Sequence, residues 1–150
     1  MKRFLFTLVV FLAVLGNYSF AGGDEIVSIK VREAFKKEFS SAQHIRWQRL
    51  KNENIYEAQF IYNNERLCAF YDENGQLLVI SRSIAAASLP MLVTKKVNKQ
   101  YKDYKLLEVL EYVSEGNTSY LLILERGSMR LTIQAFPEGN TNVFKKEKRK

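Results

Sequence analysis

The side chains with the strongest claim to chemistry are His44, Cys68, the serines at positions 40 and 41, and the carboxylates of Asp72 and Glu73. His44 is the single histidine and follows Ser40 and Ser41 closely, so a Ser–His–Asp arrangement is arithmetically available. A serine nucleophile also needs an exposing turn such as Gly-x-Ser-x-Gly and an oxyanion hole, and no such setting accompanies these serines. His44 therefore reads as a surface or helix-end residue. One His and one Cys 24 positions apart do not form the clustered ligand set that zinc requires. Asp72 and Glu73 offer oxygens, but they belong to the four-residue turn Asp72-Glu73-Asn74-Gly75, whereas calcium takes six or more oxygen ligands. Cys68, between Leu67 and Ala69, reads as a small buried hydrophobe rather than a nucleophile, which would need an accessible, electropositive setting. Asn117-Thr118-Ser119 is a formal glycosylation acceptor, relevant only in a eukaryotic secretory pathway. The residue types thus point to no catalytic group, no metal and no cofactor, and the search moves to surfaces.

Residues 55–81 are the stretch around which such a surface is built. Asn63-Asn64 suits a two-residue primed turn, because asparagine tolerates positive φ. Closing a hairpin there pairs Tyr62 with Glu65, Phe60 with Leu67, Ala58 with Ala69 and Tyr56 with Tyr71, all on one face. The other face collects Glu57, Gln59, Ile61, Arg66, Cys68 and Phe70. Asp72-Glu73-Asn74-Gly75 is a second turn, and residues 77–81 return as a strand. In the C-terminal half the same reasoning puts Leu121, Ile123, Arg130, Thr132 and Gln134 on the face away from the core. Apolar anchors mixed with arginine and amides on an uncovered face suit recognition of a protein or peptide. Self-pairing into a homodimer, or a loop laid over the face, are the other uses of it.

Helices must hold this sheet from one side. Val27, Val31, Ala34, Phe35 and Phe39 form one stripe at helical spacing, with Asp24 as the expected N-cap and Ser40-Ser41 at the exit. Residues 45–50 alternate as a short first strand before the polar stretch 51–54. Ser88-Leu89-Pro90 predicts a second helix with Ser88 as cap and Pro90 in the first turn. Its stripe is Leu89, Val93, Val97 and Tyr101, with Lys95, Lys96, Lys99 and Lys102 toward water. Strands then follow at 106–112, 119–125, 129–135 and 141–144.

The first 21 residues have Lys2 and Arg3, an apolar run over 4–15 and the small-x-small ending Ser19-Phe20-Ala21. They read as a secretory signal peptide cleaved near Ala21, since the apolar run is shorter than the roughly 20 residues of a spanning helix. No stable membrane anchor is expected after cleavage. Removing Lys2 and Arg3 lowers the net charge from +7 to +5, and five cations lie in residues 145–150, read as a solvated basic tail. That run lacks interleaved aromatics, and nucleic acid is not an expected partner. A periplasmic or secreted chain with a single cysteine has no internal disulfide and depends on its core.

The order helix, strand, hairpin, strand occurs twice. A shift of 62 carries Val31, Phe35 and Phe39 onto Val93, Val97 and Tyr101; a shift of 64 carries Tyr56, Ala58, Phe60 and Gly75 onto Tyr120, Leu122, Leu124 and Gly139. The fold class expected is α+β: tandem helix-plus-four-strand units, about 24–84 and 88–144 within one domain over 22–144, forming one antiparallel sheet of about eight strands with two helices on one face. Ile45-x-Trp47, Tyr56-Glu57-Ala58-Gln59-Phe60, Ala69-Phe70-Tyr71-Asp72-x-x-Gly75 and Leu89-Pro90-x-x-Val93-x-x-x-Val97-x-x-x-Tyr101 together resemble the PepSY-like, β-lactamase-inhibitor-like family of small secreted Bacteroidetes proteins. The second half departs from that pattern at Phe136-Pro137-Glu138-Gly139. The resemblance implies a non-enzymatic periplasmic or secreted protein with a curved sheet whose open face holds another protein, in some relatives as an inhibitor. It carries no functional residue across. A second function, suggested by the many Tyr and Phe residues, is a carrier with an apolar cavity between helices and sheet.

Overall fold

The computed structural model describes residues 27–50 and 54–149. The signal peptide, its cleavage site, Asp24 and the loop 51–53 lie outside the described residues. Among those described, eight strands form one antiparallel sheet in chain order, β1 (Gln43–Leu50), β2 (Ile55–Tyr62), β3 (Glu65–Tyr71), β4 (Leu77–Ser83), β5 (Lys105–Ser114), β6 (Asn117–Arg126), β7 (Met129–Ala135) and β8 (Thr141–Lys148). Two α-helices accompany them, α1 (Ile29–Glu38) before β1 and α2 (Met91–Gln100) before β5. Among the described residues no helix is long and apolar enough to cross a membrane. The expected α+β class with one eight-stranded antiparallel sheet and two helices is therefore what the chain adopts.

The chain divides into two compact units. The first holds the residues up to Asn64 with Cys68–Leu78; the second holds Glu65–Leu67 with the residues from Val79 onward. The division falls inside β4, whose Ile80, Ser81, Arg82 and Ser83 pair with β5.

In the first unit α1 lays Val31 and Phe35 on the sheet. Phe35 is the hub of an aromatic core, with ring centroids 4.9 Å from Phe60, 5.2 Å from Trp47 and 5.3 Å from Phe39. The two edge-on contacts, to Phe60 and Trp47, add about 1 kcal/mol each to plain burial. The β1–β2 register puts Trp47 opposite Ala58, so Trp47 shares the helix-facing side with Ala58 and Phe60. The N-cap of α1 is Ser28, whose hydroxyl accepts a hydrogen bond from the Val31 amide at 3.3 Å. This corrects the expectation at Asp24, because a helix beginning at Ile29 presents its unsatisfied amides to residue 28.

In the second unit α2 buries Val93 and Val97 against Val109, Tyr120, Leu122, Leu124, Leu131, Ile133 and Ala135. This core is largely aliphatic where the first is aromatic. Pro90, not Ser88, occupies the N-cap of α2, and residues Ala86–Ser88 form a separate 3-10 turn. Proline supplies the extended backbone of a cap, and its carbonyl accepts from Thr94 N at 3.0 Å, without needing a side-chain acceptor.

The turns resolve as their chemistry requires. Asn63 and Asn64 both have positive φ, 51° and 64°, as a type I′ hairpin demands. At the next turn Asp72 accepts from the amides of Asn74 and Gln76 at 2.9 and 2.8 Å through one carboxylate oxygen, so that oxygen closes the turn. Each unit seats its helix on a turn glycine: a Cβ at Gly75 would lie 2.8 Å from the Lys30 carbonyl oxygen, and one at Gly139 would lie 3.1 Å from that of Leu92. These pairs correspond under the shifts of 62 and 64.

The basic C-terminal segment is not a frayed tail. Lys145, Lys146, Glu147 and Lys148 continue β8 and pair with Thr132, Leu131, Arg130 and Met129. The outer edge of β7 offers backbone partners to any extended chain, and lysine stems tolerate an edge strand while their ammonium groups stay in water. Lys145 also meets Glu147 at 2.7 Å, two residues on along the same edge.

Candidate functional site

Strand register decides which side chains can act together. In the second unit β6 and β7 place Leu121 opposite Gln134, Ile123 opposite Thr132 and Glu125 opposite Arg130. The alternate pairs, Tyr120–Ala135, Leu122–Ile133 and Leu124–Leu131, belong to the core under α2. The five residues expected in this half therefore do share the face away from the helix. They are not equally open. Leu121 and Thr132 are buried, whereas Ile123, Arg130 and Gln134 are half-buried. The patch is an apolar centre with a polar border, the border being Arg130, Gln134 and Glu125.

Its cation is incompletely satisfied. Arg130 reaches Glu125 at 3.5 Å through one terminal nitrogen, and its buried Nε has no hydrogen-bond partner. Glu125 is shared, since Arg149 approaches the same carboxylate oxygen at 3.2 Å. The Nε itself is enclosed, so it is the terminal nitrogens of this partly exposed side chain that an incoming acceptor can reach.

In the first unit, β1 and β2 set Gln48 opposite Glu57, Arg46 opposite Gln59 and Gln43 opposite Ile61. Glu57 is 1% exposed, and its carboxylate accepts from the Gln48 side-chain amide at one oxygen and from Gln59 Nε2 at 2.9 Å at the other. Two amide donors compensate for the loss of water around the charge. Of the remaining residues expected in the N-terminal half, Phe70 is fully buried, Ile61 and Cys68 are half-buried, and Arg66, which belongs to the second unit, is exposed.

The expectation that all ten candidates line an uncovered face is thus corrected at Glu57, Phe70, Leu121 and Thr132. Alternation reports which way a side chain points, but its exposure depends on how tightly its neighbours close around it on an interior strand. Gln48, Arg46 and Glu125 were missed from the face. The alternation of residues 43–50 carried the signal for Gln48 and Arg46, but only the register joins them to Glu57 and Gln59.

A cleft of about 380 Å³ opens beside these strands, between α1 and β1, lined by Arg32, Phe35, Lys36, Phe39, Ser40, Ala42, Ile45 and Trp47. His44 lies in the irregular part of β1, exposed, with φ 52°, where the register slips between Gln43 and Arg46. Among the described residues no three His, Cys, Asp or Glu side chains gather closely enough to hold a metal. In the second unit Arg82 bridges Glu65 at 2.8 Å and Glu111 at 2.7 Å. The three residues form an exposed tie from β4 to β3 and β5.

No family model matches the chain, and no curated protein matches it significantly. Solved structures do match in fold. A protein of Bacteroides eggerthii, assigned provisionally to the periplasm, superposes with TM-score 0.72 at 17% identity over 83% of this chain and 90% of its own. A DUF2874 family protein of Bacteroides uniformis gives TM-score 0.72 at 15% identity over 82% and 90%. A BLIP-like protein of Bacteroides fragilis gives 0.68 at 18% identity over 84% and 89%. At these identities the likeness is one of fold, and it extends over most of each chain.

Proposed function

We propose that this protein is a non-enzymatic periplasmic or secreted binding module that recognises a protein or peptide on the sheet face opposite its helices. The observation that carries the reading is the β6–β7 register, which surrounds Leu121 and Ile123 with Thr132, Gln134 and Arg130. The half-buried Ile123 supplies desolvation on contact, and the border groups Gln134 and Arg130, the latter through its terminal nitrogens, fix the register of the partner. The fold shared with a BLIP-like protein and with a protein provisionally assigned to the periplasm supports it. So does the secretion signal read from the sequence. The PepSY side of the resemblance, a tandem duplication and an inhibitory action belong to the same proposal. The Gly75–Lys30 and Gly139–Leu92 contacts support the duplication.

A photo-crosslinker at Gln134 in the mature protein, exposed to periplasmic extract, tests the face. One partner should be captured, and Ile123→Asp with Arg130→Glu should reduce its capture at least tenfold, while Lys95→Glu on the outer side of α2 leaves it unchanged. Equal capture by all three proteins would remove this face from the function. The carrier reading has less support, because both cores are filled by side chains and the cleft is small and open. A lipid-sized adduct in native mass spectrometry of freshly purified protein would reverse that preference.

A further inference from the structure

The cleft beside α1 lies outside the face just described, and its chemistry differs. We infer that it is a second binding site, which takes an extended acidic peptide segment of a partner as an added strand along the free edge of β1. Three observations converge on it.

β1 ends the sheet: it pairs with β2 on one side, and no described strand pairs with it on the other. β5, which follows α2 as β1 follows α1, has that outer side taken by β4. Beyond the irregularity at residues 43–46, the regular part of this edge, residues 46–50, is a row of backbone donors and acceptors suited to an incoming strand.

The cleft adjoining this edge offers a place for a side chain. Ile45 is 41% exposed, unusual for an isoleucine, and lines the cleft with the half-buried Trp47 and the rings of Phe35 and Phe39. A strand laid along β1 would direct alternate side chains toward this aromatic wall.

Charge selects the occupant. The charged groups lining the cleft are Arg32 and Lys36, both cationic and exposed, and β1 itself has no carboxylate. A second copy of β1, which has no carboxylate, would bring no charge opposite to Arg32 and Lys36. An acidic strand meets the same edge with attraction. A fatty acid could also present a carboxylate and an apolar tail, but it would leave the backbone edge unused.

Trp47 is the only tryptophan, so its emission reports occupancy directly. The mature protein is titrated with a capped heptapeptide alternating Glu with Leu and Phe, with its Lys-for-Glu counterpart, with a version N-methylated at alternate amides, and with laurate. The inference expects saturable change in Trp47 emission with the acidic peptide alone. It also expects Arg32→Gln with Lys36→Gln to weaken binding roughly tenfold, the combined effect of two exposed charge contacts. Far-UV circular dichroism checks that the double variant keeps its fold. Equal binding of the N-methylated peptide would overturn strand addition, and equal binding of the lysine peptide would overturn the charge argument. Saturation by laurate without the acidic peptide would make the cleft a lipid site. A Trp47 signal that follows protein concentration and ignores peptide would make the edge a homodimer contact. The open-face proposal survives any of these results, since Ile123 and Arg130 take no part in them.

Discussion

Replacing Gly75 by alanine tests how α1 is seated, and the structure sets the size of the effect. Gly75 has φ +85°, a conformation that costs an L-residue about 1–2 kcal/mol. The added Cβ would stand 2.8 Å from the Lys30 carbonyl oxygen and 3.2 Å from Ala34 Cβ. The first of these is helix backbone, which cannot rotate away as a side-chain end can, so α1 must shift along its packed face. Overpacking of that kind costs about 1–2 kcal/mol more, for a total of about 2–4 kcal/mol. Two other glycines act as internal controls. Gly139 has φ +93° with its nearest contact 3.1 Å from Leu92 O, and Gly116 has φ +79° with nothing within 4 Å. Alanine at Gly116 should cost the backbone term alone, alanine at Gly139 slightly more, and alanine at Gly75 the most. With a urea m-value of about 1.5 kcal/mol/M, a loss of 3 kcal/mol lowers the midpoint by about 2 M. Urea unfolding followed by Trp47 emission and by circular dichroism measures all three. Trp47 is well placed, since it packs 5.2 Å from Phe35 of α1. Equal midpoints for Gly75→Ala and Gly116→Ala would refute the close-approach argument.

Three further outcomes are expected. The Tyr71 hydroxyl is buried without a hydrogen-bond partner, so Tyr71→Phe should be neutral or stabilise by up to about 1 kcal/mol in the same urea assay. Burial, aided by the charge of Glu38, raises the Tyr71 pKa above its ordinary value near 10. The folded state therefore holds this proton more tightly than the unfolded chain, and the associated stability is complete below pH 10 and falls as pH rises above it. Midpoints measured from pH 9 to 11 should fall less steeply in Tyr71→Phe than in the wild type; parallel curves would show that another group governs the alkaline limb. At the hairpin, Asn64 has φ +64°, and Asn64→Gly should raise stability by about 0.5–1 kcal/mol, read as a higher thermal midpoint.

Local chemistry was legible in the sequence wherever a residue's own covalent structure decides its conformation or direction. The paired asparagines at 63 and 64 announced a primed turn, Asp72 with Gly75 announced another, and the stripes through Val31, Phe35, Val93 and Val97 announced two helices on a sheet. Alternation likewise told Leu122 from Ile123. Tertiary structure decided what depends on neighbours distant in sequence. Whether Phe70 and Leu121 meet water depends on the strands that flank them, and both are fully buried. Glu57 is held by an amide from β1 that only the register brings within reach. The lysines after residue 144 could have frayed, but the open side of β7 gave their backbone a partner. The Ile45–Trp47 cleft exists because a helix and an edge strand meet there, and periodicity within either one cannot report the space between them.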